Sequence, residues 1–159
     1  MNPSRAKFRI AKRFVSELYK IYGNKLKLVL VCGSVGSNIA TTKSDIDLVV
    51  AIDHKDILAL TGPESLVNKL RERFEANGQI ISPAIIKSKD VLKLPEKFSM
   101  VERAVPIFGS KKLIAQLLAN KAFQYPSRKT IVHYYTKTQL EERTKAKRNK
   151  IRFKSPVRR

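Results

Sequence analysis

Acidic residues are scarce in this chain. Its 159 residues include 33 Lys and Arg but only 13 Asp and Glu, a formal charge of +20. A lysine-rich surface fitted for heat resistance normally carries matching Glu in ion-pair networks, and that match is missing. A surface so one-sided repels itself and attracts polyanions. Nucleic acid is the partner expected, through counterion release from its phosphates. Cysteine is limited to Cys32 and histidine to His54 and His133. This excludes an intrachain disulfide and gives no zinc-ligand pattern. No run of 18 apolar residues occurs, and the first 20 residues hold no apolar core, so neither export nor a membrane span is expected. The basic cluster also lacks the bulky apolar face of a membrane-surface helix. The expectation is a cytoplasmic protein of single-domain size with an appendage and no membrane partner.

Asn2-Pro3 supplies an N-cap and a first-turn proline. Phe8, Ala11, Phe14, Val15, Leu18 and Tyr22 then recur at helical spacing as far as Gly23. The opposite face carries Arg5, Lys7, Arg9, Lys12 and Arg13, a solvated face that adds to the basic field. Residues 26–32 and 46–52 read as buried strands, with Cys32 a small buried hydrophobe at the end of the first. In the second, Ile46, Leu48, Val50 and Ile52 point toward a core, while Asp45, Asp47, Val49 and Ala51 point the other way. A helix opens after Gly62-Pro63, with Leu66, Leu70 and Phe74 on one side and Gly78 past its end. Residues 79–86 read as a third strand, which Pro83 confines to an edge or a bulge. Ser88–Leu94 predicts a short helix. Phe98, Val101 and Val105 predict another, ending before Pro106, and Leu113, Ile114, Leu117 and Leu118 form a packed helical stripe within Lys111–Ala122.

Between the first two strands lies the segment that carries chemistry. Gly33-Ser34 is followed by ten residues and then by Ser44-Asp45-Ile46-Asp47-Leu48. A small-residue turn leaving a strand can hold a polyphosphate on backbone amides, because glycine lets the chain come close. Carboxylates two apart on a strand share a face, roughly 6–7 Å apart along the chain. Such a pair suits joint ligation of divalent cations that bridge substrate phosphates. Ser44-Asp45 could instead close a loop by capping backbone groups. Asp47, inside an apolar strand, is costly unless paired or metal-bound.

The Gly-Ser pair, the ten-residue interval and the Ser-Asp-Ile-Asp-Leu sequence resemble the signature of the DNA polymerase beta-like nucleotidyltransferase superfamily, the small prokaryotic minimal members above all. The motif with its strands covers roughly residues 24–53, and a looser similarity in element order runs to about Gly109. The resemblance implies an α/β (α+β) fold, a small mixed sheet flanked by helices. It also implies nucleotidyl transfer, with Asp45 and Asp47 as catalytic metal ligands for Mg²⁺ (or Mn²⁺) and Gly33 and Ser34 holding the phosphates of a nucleoside triphosphate. Lys43 is a further candidate cation beside the triphosphate. The chain departs from the pattern twice. The third carboxylate usual in active members has no counterpart around Ser82-Pro83-Ala84, and Ser37 stands where minimal members often have arginine.

From Arg143 the composition changes. Arg143, Lys145, Lys147, Arg148, Lys150, Arg152 and Lys154 follow with no acid among them, a block expected to be a helical or extended, flexible appendage that contacts nucleic acid. Phe123, Tyr125, Tyr134, Tyr135 and Phe153 are interleaved with cations and could stack on unpaired bases. His54 and His133 read as surface or packing residues. The organisation expected is a nucleotidyltransferase-like domain over 1–109, a helical extension over 110–142 and a basic tail over 143–159. The acceptor expected is RNA, tRNA first. The alternatives are an antitoxin that adenylylates a partner protein and a catalytically degenerate nucleic-acid-binding protein.

Overall fold

The computed structural model describes residues 2–94, 103–120 and 136–154, and of residues 144 and 147–154 the backbone alone. The chain begins with α1 (Pro3–Tyr22), whose N-cap Asn2 accepts the Ser4 amide at 2.9 Å and whose buried face is Phe8, Ala11, Phe14, Val15 and Leu18. A 3₁₀ turn over Gly23–Lys25 leads into β1 (Leu26–Val31), and α2 (Gly33–Gly36) follows. Next come β2 (Ile46–Ile52), α3 (Leu58–Thr61), α4 (Leu66–Ala76) and β3 (Ile81–Lys87). A second 3₁₀ segment, Ser88–Lys93, precedes β4 (Val105–Gly109), α5 (Lys111–Leu118) and α6 (Lys137–Lys154).

The four strands form one mixed sheet in the order β3–β2–β1–β4. β1 runs antiparallel to β2 and β4, whereas β2 and β3 are parallel, as the crossover through α3 and α4 allows. Ile46, Leu48, Val50 and Ile52 pack with the apolar face of α1 and with Val67, Leu70 and Leu140. Val49 and Ala51 face a second cluster with Leu28, Leu30, Ile86, Val91, Leu94, Ile114 and Leu117. Both faces of β2 are therefore buried, and the alternation read from its sequence is correct. The expected mixed sheet flanked by helices is present. Pro83 lies on β3, an edge strand, where its missing N–H leaves no ladder bond unmade.

Two expectations are corrected. Val105 begins an edge strand rather than ending a helix. Pro106 is accommodated because the β1–β4 register shifts between Val29 and Leu30. Leu66 is 52% exposed, since it opens α4 directly after the Ser65 N-cap, and Val67 takes the buried place beside Leu70. The basic segment from Arg143 to Lys154 is helical, one of the two forms expected of the appendage, and is continuous with the preceding residues in α6. Thr136 and Gln139 form a capping box at its start, with the Thr136 amide donating to Gln139 Oε1 (2.9 Å) and the Gln139 amide to Thr136 Oγ1 (3.3 Å). No Gly or Pro interrupts residues 137–154, and Lys, Arg, Gln and Glu are good helix formers. Leu140 is buried in the main core and Tyr19 donates its hydroxyl to Glu141 (3.0 Å), so the start of α6 is packed on α1. Phe98, Val101, Phe123, Tyr125, His133, Tyr134 and Tyr135 lie outside the described residues, as does the side chain of Phe153.

Candidate active site

The end of β1 and the start of β2 lie side by side, with the Cys32 amide donating to Asp47 O at 2.8 Å. This pairing brings the turn that leaves β1 against the acids that open β2. Gly33 has φ +60, and a Cβ there would collide with Asp47 Oδ2. A Cβ on Gly36 would lie 2.5 Å from Val31 O. Both positions need glycine, one for handedness and close approach, the other for close approach alone. The bonds of α2 start with Gly36 N to Cys32 O (3.1 Å) and Ser37 N to Gly33 O (3.0 Å). The amides of Gly33, Ser34 and Val35 are therefore the ones that a helix start leaves without an intrahelical acceptor. Gly33 is exposed and Ser34 half-buried, so this edge of the turn faces solvent.

Asp45 is exposed and Asp47 half-buried. Burial, and after it the charge of Asp45, pushes the Asp47 carboxyl up from its ordinary value. Among the described residues no Lys or Arg forms an ion pair with either acid, although the chain holds 33 such cations. Asp47 also acts on Cys32. Burial first, and Asp47 second, push that thiol up to about 12, and the side chain is 1% exposed. Cys32 is the small buried hydrophobe expected, and it offers no side-chain cap to α2.

The register sets Ser82 beside Asp47 and Ala84 beside Val49 on β3. The neighbouring strand thus brings no acid to the pair, as the sequence indicated. Among the described residues no group of three or more His, Cys, Asp or Glu is arranged for a metal ion. Two hard carboxylate oxygen donors nevertheless fit Mg²⁺, which keeps several waters and is commonly bound through one or two carboxylates plus substrate phosphates.

The loop joining turn to acids is held by contacts that sequence reasoning missed. Lys7 donates to Ser44 O (2.6 Å) and Thr42 O (3.4 Å). The buried hydroxyl of Ser4 accepts the Ala40 amide (2.9 Å), and Asn2 donates to Asn38 Oδ1 (3.3 Å). The first turns of α1 therefore staple residues 38–44, and partners some 36 residues away leave no local signature. Ser44 Oγ takes the Thr41 amide (2.9 Å). The loop-closing role considered for Asp45 thus belongs to Ser44. Lys43 is exposed at the tip of this turn, with its amide on Thr41 Oγ1 (3.3 Å). His54 closes a surface turn, its Nδ1 accepting the Asp56 amide (3.0 Å).

Arg143 and Lys145 are exposed on α6. Lys147, Arg148, Lys150, Arg152 and Lys154 continue that helix, their side chains outside the described set. Among the described residues no helix is long and apolar enough to cross a membrane.

No family model matches the chain, and no curated protein matches it. Solved structures to which the chain is similar include two toxin–antitoxin structures. A toxin–antitoxin crystallised with AMP-PNP shares 16% identity over 91% of this chain and 97% of its own, with a TM-score of 0.46. A mutant of the toxin–antitoxin MntA–HpeT shares 15% identity over the same proportions, with a TM-score of 0.44.

Proposed function

We propose that the protein is a nucleotidyltransferase, moving a nucleoside monophosphate from a nucleoside triphosphate onto an acceptor hydroxyl. One observation carries this reading: Asp47 on β2 and Asp45 just before it, coupled by charge and without a cation partner among the described residues of a strongly basic chain, stand where Asp47 meets a glycine turn whose first amides have no intrahelical acceptor. Gly33, Ser34 and Val35 would take the β and γ phosphates on their amides and the Ser34 hydroxyl, fixing the triphosphate's orientation. Asp45 and Asp47 would hold Mg²⁺ or Mn²⁺, which when bound supplies positive charge against the negative charge that builds on the phosphoryl oxygens. Lys43 would add a mobile cation near the same phosphates. The acceptor oxygen attacks the α phosphorus, the bond to pyrophosphate breaks, and with Ser82 beside Asp47 the hydroxyl proton passes to solvent.

RNA, with tRNA first, is the acceptor that the basic surface supports. A hydroxyl on a partner protein is the other acceptor to test. Labelled nucleoside triphosphates and Mg²⁺ are incubated with bulk RNA in one arm and with cellular protein in the other. Label on RNA supports the first acceptor and label on a protein the second. Asp45→Ala and Asp47→Ala should each abolish either signal while leaving the fold intact. Full transfer by Asp47→Ala would remove the mechanism.

A further inference from the structure

A groove of about 830 Å³ lies away from the carboxylates, between α1, the C-terminal end of α4 and α6. Its lining includes Arg9, Lys12, Arg13, Arg73 and Arg143, with Phe74 among them. Among the described residues the one acid in the lining is Glu17, which is engaged by Lys20 (3.0 Å) and Arg73 (3.7 Å). Arg9, Lys12 and Arg13 stand three and four apart on one face of α1. Like charges at that spacing each cost a helix a few tenths of a kcal/mol. Glu17 follows one turn on, but no acid stands between Arg9 and Arg13. Burial, and after it the charge of Arg143, lowers the pKa of Lys12. Phe74 is half-buried, its ring edge-on to Phe14 with centroids 5.3 Å apart.

We propose that this groove is the track of a single-stranded nucleic acid, with the cations following its phosphates and Phe74 offering a surface for a base. The pairing of a cationic groove with an aromatic is what unpaired strands require. The lining runs from Ala6 to Glu17 along α1, about 17 Å at 1.5 Å per residue. That length accommodates roughly five phosphates at a stacked spacing of about 3.4 Å. The lining also includes Gln79, next to Ile80, whose carbonyl accepts the Ile46 amide at 2.9 Å. A strand that passes Gln79 therefore comes beside the start of β2, which Asp45 immediately precedes. Only the identification of this strand with the acceptor rests on the transferase reading; the binding does not.

The test uses fluorescent single-stranded RNA with neither nucleotide nor metal, so loss of transfer activity leaves it standing. Affinity is measured against salt for the full chain, for the triple variant Arg9→Gln/Arg13→Gln/Arg73→Gln, and for Lys55→Gln/Lys89→Gln/Lys111→Gln. All six side chains are exposed, and both variants lose the same net charge. Melting curves check that both remain folded. The groove variant should bind about tenfold more weakly, with its log–log salt slope shallower by about 2, at roughly 0.7 per phosphate released. The control variant should change both much less. Equal effects in the two variants would assign binding to the diffuse field and overturn the groove, as would no measurable RNA binding by the wild type.

Discussion

Replacing Gly33 by alanine separates the backbone's demand for glycine from the site's demand for it. Gly33 has φ +60, so alanine there takes a left-handed conformation that costs about 1–2 kcal/mol. Restriction of the unfolded chain returns about 0.4–1 kcal/mol. The net loss is about 1 kcal/mol, or about 2–4 °C in melting temperature for a domain of this size. Gly78 carries the same demand at φ +78, but a Cβ there meets nothing within 4 Å. Gly78→Ala should therefore cost a similar amount of stability and leave the site untouched. At Gly33 the new methyl also displaces the Asp47 carboxylate, and a misplacement near 1 Å at reacting groups costs about 10²-fold in rate. Paired melting curves and transfer assays decide the matter. Gly33→Ala should lose about a hundredfold more activity than Gly78→Ala at matched stability. Equal activity in the two variants would refute the idea that the turn and Asp47 form one site.

Asp47→Asn should melt higher than the wild type at pH 7 in the absence of metal. The raised folded-state pKa means that ionisation opposes folding, so the cost is absent below the ordinary carboxylate pKa and grows as pH rises through the folded value. The advantage of Asp47→Asn should accordingly shrink on acidification to pH 3–4, as melting curves across that range would show; a pH-independent difference would contradict the assigned cause. Cys32, with its thiol pushed up to about 12 and its side chain buried, should resist iodoacetamide in the native protein at pH 8 and react once unfolded, as mass spectrometry would record.

The parts legible in the sequence were those set by short-range rules. The Asn2-Pro3 start of α1 and the alternation of Ile46, Leu48, Val50 and Ile52 gave a helix and a strand with the correct faces. The juxtaposition of Gly33 with Asp47 followed from a turn between two strands that must pair. β4 was missed because Val101, Val105 and Pro106 match a helical ending, and only the shifted pairing with β1 explains a proline inside a strand. The form of the segment through Arg143 stayed open between helical and extended because its charge also suits a solvated tail, and the Thr136–Gln139 capping box that starts the helix went unread. Neither the stapling of the loop by Ser4 and Lys7 nor the basic groove was legible. Each depends on helices brought together by the core across long stretches of chain.

Paramagnetic Mn²⁺ offers the most direct test of the central claim, that Asp45 and Asp47 hold a divalent cation jointly with a triphosphate on the Gly33-Ser34 turn. Free Mn²⁺ is followed by electron paramagnetic resonance as protein is added, with and without a non-hydrolysable ATP analogue, for the wild type and for Asp45→Ala/Asp47→Ala. The account predicts Mn²⁺ uptake that tightens when the analogue is present and vanishes in the double variant. Identical uptake by both proteins would contradict it.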